Sequence, residues 1–130
     1  MPPERFAPDD PREWLRRAES SLVQASKTDE RVCLEDLCFQ AQQAAEKALK
    51  ALLLAHGGRP PRTHSLAALL RLIRDAGENV PADIEPVVRL TDYAVTTRYP
   101  GAAEPVTPEE YNEALCLAER CVAWAGKRIA

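Results

Sequence analysis

An all-α bundle is the fold this sequence predicts: about five helices, four long and one short, arranged up and down in a single domain over residues 10–130, with residues 1–9 as a tail. Three observations carry that reading. Apolar residues recur at intervals of three and four along most of the chain, the period of a helix with one buried face. Two segments, Asp10-Pro11-Arg12-Glu13 and Thr107-Pro108-Glu109-Glu110, each offer a capping side chain, a proline suited to the first helical turn and a glutamate able to close a capping box. No segment reads as a convincing strand.

The first helix starts at Asp10 and carries Leu15, Ala18, Leu22 and Ala25 inward, with Trp14 alongside, until the pattern stops near Ser26 to Thr28. The second is expected from about Glu30 to about His56, ended by Gly57-Gly58, where glycine takes the left-handed conformation that closes a helix. Arg59-Pro60-Pro61-Arg62 is then a stiff extended linker. Thr63 is placed to cap a short third helix, outlined by Leu66, Leu69, Leu70 and Ile73 and stopped at Gly77. A fourth is expected to begin between Pro81 and Pro86, with Ile84, Val87, Val88, Thr91, Ala94 and Val95 on one side, and to break at Pro100-Gly101. The last, from Thr107, turns Tyr111, Ala114, Leu115, Ala118, Cys121, Val122, Ala125 and Ile129 inward.

At 130 residues the chain is long enough to bury a core without staples. A hydrophobic fraction of 45% and a charged fraction of 28% are those of a soluble globular protein. The net charge of -3 argues against a general nucleic-acid or membrane-surface binder, because neither partner is attracted by an acidic body. No secretory signal and no apolar run long enough to span a bilayer is evident, so a cytoplasmic location and no membrane partner are expected. The cysteines pair as Cys33 with Cys38 and Cys116 with Cys121, both five residues apart. On a helix that gap turns the second thiol away from the first, so neither pair chelates locally; all four are expected to pack as small core residues, with no metal and no cofactor.

The most informative stretch is Cys38 to Lys50. Gln42, Glu46 and Lys50 follow at i, i+4 and i+8 and stack into one stripe, with Gln43 and Lys47 in a second row beside it. Leu37, Cys38, Ala41, Ala44, Ala45, Ala48, Leu49, Leu52 and Leu53 cover most of the remaining circumference, marking a central helix buried on more than one side. The polar row reads as a solvated stripe with an ordinary Glu46–Lys50 pair worth a few tenths of a kcal/mol, as the lining of a ligand groove, or as a dimer seam. A local basic cluster, Arg59, Arg62, Arg71 and Arg74 with His64 between, has no acidic neighbour in sequence until Asp75; it is a solvated face, or a surface for phosphate groups or an acidic partner.

Several blocks in order carry a resemblance to a known family: Trp14-Leu15 with Ala18-Glu19 and Leu22; Cys38-Phe39 with Gln42-Gln43 and Glu46-Lys47-Ala48-Leu49-Lys50; Pro61 with Thr63-His64 and Leu66; and Tyr93-Ala94-Val95 with Arg98-Tyr99-Pro100-Gly101. Together they resemble the HEPN domain family over nearly the whole chain from Pro11. The resemblance implies a helical bundle, usually dimeric, related to the C-terminal domain of kanamycin nucleotidyltransferase.

Some members of that family are metal-independent ribonucleases, in which an arginine is followed four to six residues later by a histidine and two such motifs meet across a dimer. Arg98 resembles that arginine, but Tyr99, Pro100, Gly101, Ala102, Ala103, Glu104 and Pro105 follow it; the two histidines, His56 and His64, lie far upstream. Without the histidine, no neutral-pH group stands beside Arg98 to take a proton from an RNA 2′-hydroxyl. The resemblance therefore implies a non-catalytic module that forms a homodimer, partners a separately encoded small nucleotidyltransferase, often in a toxin-antitoxin system, and holds nucleotide or RNA in a bundle groove. Its candidate ligand-binding residues are Gln42, Gln43, Glu46, Lys47, Lys50, His64, Arg98 and Tyr99. In paired members a tyrosine close to the arginine motif is adenylylated by the partner, and Tyr99 is the nearest match. The alternatives are a ribonuclease toxin using Arg98 with His64 as a relocated base, and a purely structural dimerisation bundle.

Overall fold

The computed structural model describes residues 5–95 and 105–130. The described residues form five α-helices, α1 (Pro11–Ala25), α2 (Leu34–Ala55), α3 (Leu66–Asp75), α4 (Thr91–Val95) and α5 (Pro108–Ile129), with a 3₁₀ helix, Glu85–Leu90, leading into α4. Among the described residues there is no strand, and no helix is long and apolar enough to cross a membrane.

Both proline-led starts form as helix N-termini. The Asp10 carboxylate accepts the Arg12 N–H at 2.8 Å. Thr107 closes a full capping box, its hydroxyl accepting from the Glu110 N–H at 3.1 Å while the Glu110 carboxylate accepts from the Thr107 N–H at 3.0 Å. Glu13, expected to do the same at the first start, instead turns to the Phe6 N–H and to Arg16 and Arg17. Residues 5–9 lie against α1, with Phe6 under the Arg12 guanidinium and the Pro8 carbonyl accepting from the Trp14 indole at 3.0 Å.

Helix α2 is the axis of the bundle, packing against α1 and α5 along its length and against α3 and α4. Ala41, Ala44, Ala45, Ala48 and Ala51 are all fully buried, which lets neighbouring backbones come close, while Leu49 and Leu52 fill the space between. Each such leucine contributes roughly 1.5–3 kcal/mol on burial. Tyr111 ties α5 to the end of α1, its hydroxyl donating to the Ala25 carbonyl at 2.6 Å.

Four expectations need correcting. Helix α2 starts at Leu34 because the Asp29 carboxylate accepts the Arg31 N–H at 2.8 Å and the Val32 N–H returns to the Asp29 carbonyl, closing a turn where a helix was expected. Cys33 is thereby left outside the helix and exposed; Cys116 is exposed too, and only Cys38 and Cys121 join the core. The cap of α3 is Ser65, whose hydroxyl accepts from the Ala68 N–H, and Thr63 sits two residues earlier, its hydroxyl accepting from the Ser65 N–H. The fourth element is a 3₁₀ turn before a short helix, because Pro86 has no N–H to give to a carbonyl four residues back; Val88 and Val95 consequently face outward while Val87, Leu90 and Ala94 face the core. The break expected at Pro100-Gly101 lies outside the described residues. The glycine stops hold, Gly57 and Gly77 both having positive φ.

Candidate functional site

The polar row of α2 is not a solvated stripe. Gln42, Glu46 and Lys50 are 0%, 5% and 7% exposed, covered by α1 on one side and by the segment leading into α3 on the other. Glu46 is the hub. Its Oε1 accepts from Gln42 Nε2 at 3.0 Å and pairs with His64 Nδ1 at 2.8 Å, while its Oε2 accepts from Lys50 Nζ at 3.0 Å. Gln42 also reaches the His64 carbonyl, and the Gln43 amide donates to Gln42 Oε1 at 2.7 Å. Burial pushes the Glu46 carboxyl up, but hydrogen bonds from His64, Gln42 and Lys50 outweigh it and hold its pKa below the ordinary value.

Helix α1 supplies the facing wall. Glu13, itself buried, takes the Phe6 N–H at 2.9 Å, Arg16 at 2.6 Å and Arg17 at 2.7 Å. Those two guanidiniums, Arg16 ahead of Arg17, hold its carboxyl far below the usual range. Ser21, also buried, accepts from Lys47 Nζ at 2.8 Å across the helix interface. Burial lowers the Lys47 pKa, and the nearby Arg17 charge adds to that.

Between the walls opens a cleft of about 320 Å³ lined by Pro8, Glu13, Trp14, Arg17, Gln43, Glu46, Lys47 and Lys50. Trp14 forms its aromatic side, with Lys50 Nζ 5.9 Å from the ring centroid. A planar ring on Trp14 and an anionic group between Arg17 and Lys47 match this chemistry.

Of the sequence candidates, Gln43, Glu46, Lys47 and Lys50 reach the cleft and Gln42 lies directly behind it. His64 joins through Glu46 with its ring half exposed. Arg98 and Tyr99 lie outside the described residues. The basic cluster does not line the cleft; Arg74 pairs with Glu85, and Arg59, Arg62 and Arg71 are exposed. Sequence reasoning missed Glu13, Arg17 and Ser21. Their signals were a glutamate followed by arginines at i+3 and i+4, and a serine among the inward positions of α1.

Among the described residues no three His, Cys, Asp or Glu side chains come together as a metal site. The profile of the HEPN domain matches residues 11–129. The chain belongs to the HEPN domain family. Two solved structures resemble this HEPN chain over nearly its whole length. The crystal structure of TT1696 from Thermus thermophilus is 36% identical, with 91% of this chain and 97% of that one covered and a TM-score of 0.80. That of ST0689, an archaeal HEPN homologue, is 30% identical, with 93% and 98% covered and a TM-score of 0.72. No curated protein matches the chain.

Proposed function

We propose that this HEPN chain is a binding module without nuclease activity of its own, which takes a nucleotide or RNA in the α1–α2 cleft, dimerises, and partners a separately encoded small nucleotidyltransferase. The observation that carries the ligand is the buried row itself. A charged hub at Glu46, held by three hydrogen-bonding partners, stabilises a fold poorly for its cost, yet it positions Lys50 and Gln43 beside Trp14 and Lys47 on an open cleft. The absence of a histidine after Arg98 supports the non-nucleolytic part, and the resemblance to paired family members supports the partner.

The test is a gel assay of the purified chain with labelled mixed-sequence RNA in chelator, beside calorimetry with nucleotides and co-purification with a co-expressed nucleotidyltransferase. Binding of RNA or nucleotide that weakens in Lys47→Ala, with the RNA left intact, is the expected result. RNA cleavage lost in Arg98→Ala would overturn it.

One distance favours a second reading. Glu46 fixes His64 through Nδ1 at 2.8 Å, leaving Nε2 without a partner among the described residues, the arrangement of a carboxylate-oriented base. A ribonuclease built on Arg98 and His64 predicts cleavage abolished in both Arg98→Ala and His64→Ala.

A further inference from the structure

Away from the α1–α2 cleft, a smaller cleft of about 200 Å³ opens between the first turns of α5 and the arm formed by the 3₁₀ helix and α4. Its apolar floor is Leu90, Ala114 and Leu117, all buried, and the half-buried Tyr93 ring forms a wall. Arg89, Glu110 and Glu113 make the rim. Arg89 reaches from the arm to α5, its Nη1 donating to Glu113 Oε1 at 2.8 Å, and Glu110 Oε1 is taken by the Thr107 N–H at 3.0 Å. The second oxygen of each carboxylate has no partner among the described residues. Two glutamates with open acceptor sites therefore stand over an apolar floor, with one guanidinium between them and the arm.

The field in this cleft is negative. Along the arm, Arg89 is the one cation beside Glu85 and Asp92, and α5 carries Glu109, Glu110 and Glu113 before its first cation, Arg120. The Tyr93 hydroxyl, hydrogen-bonded to the Cys38 thiol, is pushed up to about 12 by burial first, then by Cys38, with the charges of Glu110 and Glu113 adding to it. The complementary ligand is a cation with an apolar stem. At about 200 Å³ the cleft is below the range of small-molecule sites, ~300–1,000 Å³, and of a size for one side chain. Beside it on the arm, Val88 and Val95 stand exposed. A charged slot set among exposed apolar side chains is the form of a protein contact in which one residue anchors the rest.

We propose that this cleft docks a basic side chain of another protein, arginine in preference to lysine, in a segment with apolar residues on either side of the anchor. The stem lies on Leu90, Leu117 and the Tyr93 ring while the guanidinium spans Glu110 and Glu113; the flanking residues cover Val88 and Val95. Arginine fits better because its planar fork meets two carboxylates at once and stacks on an aromatic ring. This surface is independent of the α1–α2 cleft and of what binds there.

The test follows the amide chemical shifts of the isotope-labelled full chain at low salt during titration with capped tripeptides in which two leucines flank arginine, lysine, glutamine or glutamate. The arginine peptide should move the signals of Tyr93, Glu113 and Leu117 and bind more tightly than the lysine one; the glutamine and glutamate peptides should leave them in place. Glu110→Gln keeps the capping box, which glutamine also closes, and Glu113 is exposed, so both variants should fold, as their own spectra check. Each half-exposed ion pair is worth a few-fold, so each of Glu110→Gln and Glu113→Gln should weaken the arginine peptide by about threefold and the two together by about tenfold. Asp75→Asn, an exposed carboxylate on α3, should leave its affinity unchanged. No shift at these residues up to about 10 mM peptide, equal binding of the glutamine peptide, or an affinity untouched by the double variant overturns the proposal. Free arginine binding as tightly as the peptide would make this a small-cation site and overturn the protein partner. Shifts of the same residues on dilution, without peptide, would give the cleft to a second copy of the chain and overturn it likewise.

Discussion

Replacing Glu46 by glutamine takes one charge out of the buried row while keeping its volume, so no cavity confuses the result. Lys50 is then left 7% exposed with an amide oxygen in place of its carboxylate 3.0 Å away and the Trp14 ring centroid 5.9 Å from its Nζ. Removing one partner of a fully buried pair costs about 3–5 kcal/mol. The cleft brings some water to Lys50, and the amide oxygen still accepts one hydrogen bond worth ~1 kcal/mol. Glu46→Gln should therefore lose about 2–3 kcal/mol, or about 9 °C in Tm for a domain of this size. Urea titration followed by circular dichroism measures it, with the midpoint falling and the slope unchanged. Adding Lys50→Met removes the stranded cation and should restore at least ~1 kcal/mol, since apolar replacement of a buried pair is often neutral. A Glu46→Gln chain within ~0.5 kcal/mol of wild type, or a double variant worse than the single by the full cost of Lys50→Met alone, would refute the claim that Glu46 and Lys50 act as a desolvated pair.

Acid should unfold the chain in a defined window. Glu46, Glu13 and Glu78, the last held down chiefly by Arg128, all have folded pKa values below the ordinary 4.5, so the unfolded chain takes up protons first. Their stabilisation is complete above about pH 4.5 and is lost as pH falls through the folded values; urea midpoints measured from about pH 6 to pH 3 should fall only below that point, and a flat profile would contradict it. Burial pushes the Cys38 and Cys121 thiols up to about 12, whereas Cys33 and Cys116 are exposed, so a thiol reagent near pH 8 should label two cysteines in the native chain and four after unfolding. Tyr111→Phe strands the Ala25 carbonyl that receives its hydroxyl at 2.6 Å and should cost about 1–2 kcal/mol by urea titration.

The cap and proline pattern made the starts of α1 and α5 legible because the signal is local: a side chain and a backbone N–H two or three residues apart in sequence. The start of α2 was not, since apolar spacing continues through Val32 and Cys33 while the Asp29 turn decides the matter by one side-chain hydrogen bond. For the same reason Thr63 and Ser65 could not be ranked as caps from composition. The row Gln42, Glu46, Lys50 was visible as a stripe, but its burial depends on α1 and on the segment carrying His64, contacts that span 18 residues or more in sequence. Glu13 was read as a local capping residue, and its actual partners, two arginines on its own helix and the Phe6 amide, follow from the path of the chain before Pro11.

The five buried alanines of α2 have a consequence for how this chain can change over generations. A spindle this thin fixes the gauge of the bundle: at those positions any larger side chain must push a whole neighbouring helix aside, so drift is confined to residues of the size of serine or glycine. The long side chains of Gln42, Glu46 and Lys50 are packed against the same tightly set neighbours and inherit that immobility. New specificities are thus reached by altering α1, whose outward residues change without disturbing the spindle, while the hub at Glu46 is carried forward as a fixed part.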